Sequence, residues 1–260
     1  MEHEGWKICF NGYLPIDERM QDRLKRVMAE IDKLPDSALS IDSEAHVVTI
    51  DYTLVRGWQD EARKRVTTVR AGERIVVCPP WETHEAKDGE IVLEIDPGAV
   101  FGSGMHESTR LCLKALEKYM KPGMTSVDFG TGSGILAIAS ARLGAKKVFA
   151  IEADTDAADT ARKNVIRNKL DDVIEVFNCE DPLPIGLAPI DIMTANITAE
   201  LIITKAGVIK DAIKERGVLI ASGMTVRNYR GVQEELSNKG FGLIETLMEG
   251  EWAAFTAARI

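Results

Sequence analysis

Three glycines follow a strand-like run near the middle of this 260-residue chain, at Gly130, Gly132 and Gly134. They separate Val127–Phe129 from a helical pattern that begins at Ile135. A glycine turn lets a ligand approach the backbone, and the free N–H groups at a helix start attract a negative group. Dinucleotide sites need a glycine at the sixth position of G-x-G-x-x-G. Counted from Gly130, that position is Ile135, so the spacing disfavours a nicotinamide-dependent oxidoreductase.

Two polar side chains stand where later strands are predicted to end. Glu152 comes 20 residues after Gly132, and a carboxylate at that position can accept hydrogen bonds from both ribose hydroxyls of a nucleoside; Asp154 is the second candidate. Asn196 ends an apolar run. Because ligands bind outside the carboxyl ends of strands in open α/β sheets, its amide oxygen is placed to meet a substrate N–H. A helix N-cap is the alternative role for Asn196.

The elements that hold these residues alternate between strand and helix patterns after residue 106. This alternation predicts an α/β fold with a doubly wound, mostly parallel, Rossmann-like sheet. Two final strand patterns, Gly242–Met248 and Trp252–Ala258, predict an antiparallel hairpin at the edge of that sheet. The predicted strands before them are Ser126–Phe129, Lys147–Ile151, Val173–Phe177, Ile190–Ala195 and Val218–Ala221. The predicted helices lie around Leu113–Met120 and over Ile135–Leu143, Asp156–Asn168, Ala199–Ile213 and Tyr229–Leu236.

The chain before residue 73 has a different character. Residues 1–54 predict a small α+β domain, 55–72 a charged linker with a short helix, and 73–260 the catalytic domain. Apolar residues recur at helical spacing after Asp17, which predicts a helix there. The predicted strands of the first domain are Trp6–Phe10, Ala38–Ile41 and Val47–Asp51. Strands over Ile75–Val77 and Ile91–Ile95 are each followed by proline, which cannot donate to a sheet.

Composition excludes several classes of protein. The chain carries 32 basic and 41 acidic side chains, and the resulting net charge of −9 disfavours direct binding to nucleic acid. Neither a long apolar stretch nor a secretory signal is recognisable, so we expect a cytoplasmic protein without a membrane segment. We expect no metal site, because the cysteines contain no CxxC pair. We also expect a monomer. The four expected reduced thiols are Cys9, Cys78, Cys112 and Cys179.

The most specific signal is the segment Asp96–Thr109, which reads DPGAVFGSGMHEST. It resembles the D-P-G-x-x-F-G-x-G-x-H-x-x-T signature of the ribosomal protein L11 methyltransferase (PrmA) family, whose members are class I S-adenosylmethionine-dependent methyltransferases. The similarity runs from about Arg56 to the end of the chain, whereas the residues before it match only in size and general character. It also includes the G-x-G-x-G loop, Val77–Trp81, Ala195–Ile197 and Glu251–Trp252.

The resemblance implies a binding site for S-adenosylmethionine, which leaves as S-adenosylhomocysteine. Four positions carry over directly as cofactor ligands, namely Thr109, Gly130, Glu152 and Asn196. Six further residues are expected around the cofactor: Gly132 and Gly134 in the loop, Phe101 and His106 in the pocket, and Glu180 or Asp181 beside the adenine. The departures are Thr131 where cysteine is common, Glu152 where aspartate is common, and Glu107 where proline is usual.

The resemblance also implies a reaction. We expect a protein N-methyltransferase that acts on lysine ε-amines or an N-terminal α-amine of a ribosomal protein, with Asn196 as the catalytic residue that aims the amine. His106 as a general base is a lesser alternative. Three other readings remain open: a lysine methyltransferase of another protein such as electron-transfer flavoprotein, an S-adenosylmethionine-binding module without catalysis, and the disfavoured oxidoreductase.

Overall fold

A computed structural model describes residues 20–31, 66–98, 100–181 and 189–260. The chain separates into two compact units, Met1–Val55 and Arg56–Ile260. In the first unit the helix predicted after Asp17 is present as α1, Met20–Ile31. The three strands predicted in the first domain, and the helix predicted in the linker, lie outside the described residues. The division into a recognition domain, a linker and a catalytic domain stays a prediction.

The second unit contains five further helices and ten strands among its described residues. The helices are α2 Glu107–Tyr119, α3 Ile135–Arg142, α4 Thr155–Arg167, α5 Ala199–Ala212 and α6 Tyr229–Asn238. The strands are β1 Val69–Arg70, β2 Ile75–Cys78, β3 Ile91–Glu94, β4 Thr125–Phe129, β5 Lys147–Glu152, β6 Ile174–Asn178, β7 Ile190–Asn196, β8 Ile213–Thr225, β9 Phe241–Glu249 and β10 Trp252–Arg259.

Seven of the strands form one sheet in the order β6-β5-β4-β7-β8-β10-β9. Strands β4 to β8 pair in parallel, whereas β10 is antiparallel to both β8 and β9. The order reverses direction between β4 and β7, which is where doubly wound sheets open a crevice for a ligand. The predicted Rossmann-like class is therefore confirmed.

The core consists of two clusters, one on each face of the sheet, because alternate side chains of a strand point to opposite faces. Val148 and Ala150 of β5 join a cluster with residues of α2, α3 and α4. Phe149 and Ile151 of the same strand join a second cluster with residues of α5 and α6. A parallel strand buried on both faces reads as a continuous apolar run, which explains why these strands were recognisable in the sequence.

Three details differ from the sequence-based expectations. Strand β8 spans Ile213–Thr225 rather than Val218–Ala221, because Ile213 pairs with Ile190 of β7 and its last residues pair with β10. Strand β1 lies inside the predicted linker and forms a separate three-stranded sheet with β2 and β3. Of the final hairpin only β9 is an edge strand, since β10 lies between β8 and β9.

Glu117 of α2 fastens the small sheet to the rest of the unit. Its carboxylate accepts hydrogen bonds from three consecutive backbone N–H groups, at 2.7 Å from Glu73, 2.7 Å from Arg74 and 2.9 Å from Ile75. The last of these residues begins β2. Hydrogen bonds to a charged acceptor are stronger than those between neutral groups. One side chain therefore fixes the start of β2 against α2.

We predict that Glu117→Ala lowers the free energy of unfolding by about 2 kcal/mol, because three backbone donors lose their acceptor. Urea denaturation measures this loss. Glu235→Ala is the control, since Glu235 forms only an exposed ion pair with Lys239 at 3.5 Å and should cost less than about 0.5 kcal/mol. Equal losses in the two variants would contradict the role given to Glu117.

Candidate functional site

A cavity of about 480 Å³ opens at the carboxyl ends of β4, β5 and β7. Its size is that of a small-molecule site. Apolar side chains predominate in its wall, with a few polar groups among them. The lining residues are Val100, Phe101, Gly102, Thr109, Phe129, Gly130, Thr131, Gly132, Ile135, Leu136, Ile151, Glu152, Ala153, Ala157, Cys179, Glu180, Asn196, Ile197, Leu201 and Lys205.

The glycine loop needs glycine for two separate reasons. Gly130 and Gly132 have φ values of 74° and 55°, in the left-handed region that other residues rarely adopt. A Cβ at Gly130 would lie 2.3 Å from a methyl carbon of Ile197, and one at Gly132 would lie 2.7 Å from the carbonyl oxygen of Phe101. Both positions line the cavity. A side chain at either position would therefore displace the cavity wall.

The buried carboxylate of Asp128 holds this loop to the sheet. One oxygen accepts from the Thr131 hydroxyl at 2.6 Å and from the Ala137 N–H at 3.1 Å, and the other accepts from the Thr194 hydroxyl at 2.7 Å. These donors belong to the glycine loop, to α3 and to β7. Burial raises the pKa of Asp128 to about 6, although the three hydrogen bonds act to lower it.

Glu152 lies at the cavity edge, at the end of β5. Its two carboxylate oxygens accept from the backbone N–H of Gly132 at 2.9 Å and of Asp154 at 3.0 Å. Each oxygen keeps a second lone pair for a hydroxyl donor. Asp154, the other ribose candidate, instead caps α4 by accepting from the N–H groups of Asp156 and Ala157.

Asn196 ends β7 and contributes a buried polar atom to the cavity wall. Its Nδ2 donates to the hydroxyl of Thr109 at 3.4 Å, and Thr109 is itself fully buried on α2. The Oδ1 atom has no hydrogen-bond partner within the described part of the chain; Ser126 Oγ is the other such buried side-chain atom there. A buried acceptor without a donor is costly, so its place in a cavity wall points to a ligand that supplies the donor.

His106 belongs to a cluster of three aromatic rings beside the cavity. Its ring packs edge-on against Phe101 and Trp252, with centroid distances of 5.0 and 4.5 Å. Its Nδ1 accepts from the N–H of Ser108 and thereby caps the start of α2. This use of Nδ1 favours a structural role for His106 over the role of general base.

An ion-pair network connects the start of α2 with the end of β9. Arg110 donates to the carboxylate of Glu249 and to the carbonyl oxygen of Met105. Lys114 donates to the other oxygen of Glu249 at 2.9 Å. Burial raises the pKa of Glu249, but the hydrogen bonds from Lys114 and Arg110 outweigh it and hold that pKa below its ordinary value. The chain before α2 is thereby tied to the end of β9.

The two candidate adenine contacts occupy different positions. Glu180 lines the cavity. Asp181 instead forms an ion pair with Lys205 of α5 at 3.0 Å, and Lys205 itself lines the cavity. The geometry therefore favours Glu180 over Asp181 as a direct contact.

Seven of the ten predicted site residues line the single cavity described above: Phe101, Thr109, Gly130, Gly132, Glu152, Glu180 and Asn196. The other three lie next to it, with Gly134 at the start of α3, His106 in the aromatic cluster and Asp181 in its ion pair. Their functional roles stay predictions. Sequence reasoning did not propose Cys179, Ile197, Leu201 or Lys205 as site residues. Ile197 lies in the matching segment Ala195–Ile197, whereas the other three carry no motif and enter the cavity only through the fold.

The residues present fit S-adenosylmethionine. Glu152 offers free lone pairs to ribose hydroxyls, and Gly130 and Gly132 present backbone without side chains in the cavity wall. Asn196, whose Oδ1 is without a partner among the described residues, lines the same cavity from β7. Sheet order, glycine loop and polar groups together define a Rossmann-like methyltransferase fold.

Comparison with known proteins gives the family. A family model described as "Ribosomal protein L11 methyltransferase (PrmA)" matches residues 3–259. The chain is 34% identical over 257 residues to the ribosomal protein L11 methyltransferase of Clostridium perfringens. The aligned region covers 99% of this chain and 81% of that protein. It is 39% identical over 248 residues to the corresponding protein of Pelotomaculum thermopropionicum, covering 95% and 78%.

A solved structure agrees with these relatives. The crystal structure of ribosomal protein L11 methylase from Lactobacillus delbrueckii subsp. bulgaricus superposes with a TM-score of 0.69 at 26% identity, covering 74% of this chain and 98% of that one. The chain belongs to the ribosomal protein L11 methyltransferase family. The resemblance read from Asp96–Thr109 is thus confirmed.

Within the described residues, no helix has the length and apolar character to cross a membrane. The same residues contain no group of three or more histidine, cysteine, aspartate or glutamate side chains placed to hold a metal ion.

The raised pKa of Asp128 gives a prediction about stability and pH. The folded-state pKa of about 6 lies above the ordinary value of 3.8, so protonation favours the folded protein. The stabilisation is complete below about pH 4 and is lost as the pH rises through about 6. The free energy of unfolding should fall by about 3 kcal/mol over this range. Asp128→Asn should lack this loss, because Thr194 can accept from the new amide and donate to the carbonyl of Val127 at 3.4 Å.

Urea denaturation of both proteins at several pH values measures the difference. We expect the stability of the wild-type protein to fall relative to Asp128→Asn between about pH 4 and about pH 7. Carboxylates with lowered pKa values, such as Glu90 and Asp191, are common to both proteins and cancel in the comparison. A difference that does not change with pH would show that the carboxyl of Asp128 titrates normally.

Proposed function

We propose that this protein transfers methyl groups from S-adenosylmethionine to amine nitrogens of ribosomal protein L11, on lysine side chains or at the N-terminus. Family membership supports the substrate, since the relatives carry that name. The single structural observation that carries the chemistry is the buried, unpartnered Oδ1 of Asn196 in the wall of the cavity.

The cofactor has a place for each of its parts among the cavity residues. Glu152 would accept the ribose hydroxyls and Glu180 the exocyclic amine of adenine. The start of α3 would face the carboxylate of the methionine part. The N–H groups of the glycine loop itself already donate within the protein. When bound, S-adenosylmethionine supplies a methyl carbon attached to a positively charged sulfur, which is a good leaving group.

The role of Asn196 is to orient the acceptor amine. An amine attacks only when it is neutral, and a free lysine has a pKa of about 10.4. Removal from water favours the neutral form. Oδ1 of Asn196 would then accept one of the amine N–H groups and so direct the nitrogen lone pair. Positioning of this kind can lower a barrier by about 7–11 kcal/mol.

The apolar wall has a second role, which is to keep water away from the reacting atoms. Phe101 and Leu201 both line the cavity, although each is partly exposed at its mouth. A bound protein substrate would cover them. Desolvation of the amine would follow from that contact, which links substrate recognition to formation of the neutral nucleophile.

We predict that Asn196→Ala lowers kcat about 100-fold, because the amine loses its orientation. The Kd for S-adenosylhomocysteine should rise less than about fivefold, the equivalent of one neutral hydrogen bond. Steady-state kinetics and calorimetric titration measure the two quantities. Asn228→Ala is the matched control, since Asn228 is exposed after the neighbouring strand β8 and lines no part of the cavity. Equal losses in kcat and affinity would reduce Asn196 to a cofactor contact.

The identity of the substrate is tested by transfer of labelled methyl groups to the proteins of a cell extract. Mass spectrometry then identifies the labelled protein. We predict label on ribosomal protein L11, at lysine ε-amines or the α-amine. Label on a different protein would favour the alternative of a lysine methyltransferase with another target, such as electron-transfer flavoprotein. Label confined to a small molecule, or no transfer at all, would refute the proposed function.

The same proposal implies a cytoplasmic location, where ribosomal proteins are made. It also separates this protein from a nicotinamide-dependent oxidoreductase. Calorimetric titration should show binding of S-adenosylmethionine and none of NAD, and the reverse result would overturn the cofactor assignment.

A further inference from the structure

Helix α4 carries two buried asparagines one turn apart, at Asn164 and at its C-cap Asn168. Each uses its amide group to pair with the backbone of one residue, at the end of β3 or just after it. Asn168 accepts from the N–H of Glu94 at 3.1 Å and donates to its carbonyl at 2.7 Å. Asn164 does the same with Asp96, at 3.0 and 2.9 Å. The two side chains thus hold one stretch of backbone in nearly the same way.

The side chain of Asn164 has two contacts without a counterpart at Asn168. Its Oδ1 also accepts from Arg167 at 2.7 Å, within the same helix. Its Nδ2 also donates to the carbonyl oxygen of Ser133 in the glycine loop, at 2.8 Å. Ser133 in turn donates from its N–H to the carbonyl of Phe101 at 3.0 Å and from its hydroxyl to the carbonyl of Gly102 at 2.7 Å. Asn164 therefore holds Asp96 directly and holds Phe101 and Gly102 through Ser133.

The two loops meet so closely that neither Gly102 nor Gly132 has room for a side chain. A Cβ at Gly102 would lie 2.4 Å from the hydroxyl oxygen of Ser133, and one at Gly132 would lie 2.7 Å from the carbonyl oxygen of Phe101. Backbone packed directly on backbone has no flexible group to take up a displacement. The hydrogen bonds of Ser133 and Asn164 must therefore set the spacing. Phe101, Gly102 and Gly132 all line the cavity.

We propose that Asn164 is a positioning residue for the cofactor, which sets the separation between the glycine loop and the Phe101–Gly102 wall of the cavity. Asn164 does not line the cavity and acts through Ser133. The inference rests on the proposed function, because it takes the ligand of this cavity to be S-adenosylmethionine. This role has a consequence for the kinetics. Loss of Asn164 should displace the cavity walls and weaken cofactor binding, whereas a saturating cofactor concentration should restore most of the turnover.

The test compares Asn164→Ala with Asn168→Ala as the matched control. Each variant leaves the backbone of one residue, Asp96 or Glu94 respectively, without its side-chain partners, so both should lose stability in urea denaturation to a similar degree. We expect Asn164→Ala to raise the Kd for S-adenosylhomocysteine and the KM for S-adenosylmethionine about tenfold. Asn168→Ala should change either constant less than about twofold. At saturating cofactor the kcat of Asn164→Ala should stay within about threefold of wild type.

Ser133→Ala provides an independent arm if Asn164→Ala fails to fold. It deletes only the hydroxyl bond to Gly102 and keeps the backbone groups that bind Asn164 and Phe101, so we expect a rise in Kd of about fivefold. Equal Kd changes in the two asparagine variants, or an unchanged Kd in Ser133→Ala, would overturn the positioning role. A wild-type protein that binds no S-adenosylhomocysteine would instead refute the proposed function, and this inference with it.

Discussion

The carboxylate of Asp128 connects the three parts of the structure on which the cavity depends. It lies buried in β4 and accepts hydrogen bonds from the glycine loop, from the first turn of α3 and from Thr194 on β7. Thr194 stands two residues before Asn196, so the loop that cradles the ligand and the strand that presents the amide share one anchor. Burial of this carboxylate raises its pKa to about 6, which shows that the arrangement is held at a cost in stability near neutral pH.

The remaining walls are held by contacts that come from far along the chain. Glu249 at the end of β9 binds Arg110 and Lys114 on α2, and Trp252 packs against His106. Asn164 and Ser133 hold the opposite side. Since Thr109 on α2 is the partner of Asn196, the position of that helix bears directly on the proposed catalytic amide. The antiparallel hairpin that closes the chain thus supports the site although it contributes no residue to the cavity lining.

The positions of the parallel strands and seven of the ten predicted site residues could be placed from the sequence because their signals are local. The buried parallel strands read as apolar runs, and the glycine loop and Asp96–Thr109 carry recognisable spacing. The length of β8 was missed because Lys214 and Glu215 near its start are polar and exposed, so its apolar run begins only further along the chain. Lys205 and Leu201 enter the cavity only through the packing of α5. Asn164 did leave a signal, since it shares the buried helix face of Ala157 and Ala161, where a polar residue needs partners.

The most direct measurement is a crystal structure of the protein with S-adenosylhomocysteine bound. The account predicts that the ligand occupies the cavity at the ends of β4, β5 and β7, with its ribose hydroxyls on Glu152 and its sulfur directed to the side from which Asn196 Oδ1 can reach an acceptor amine. A ligand bound elsewhere, or one whose sulfur faces away from Asn196, would contradict it.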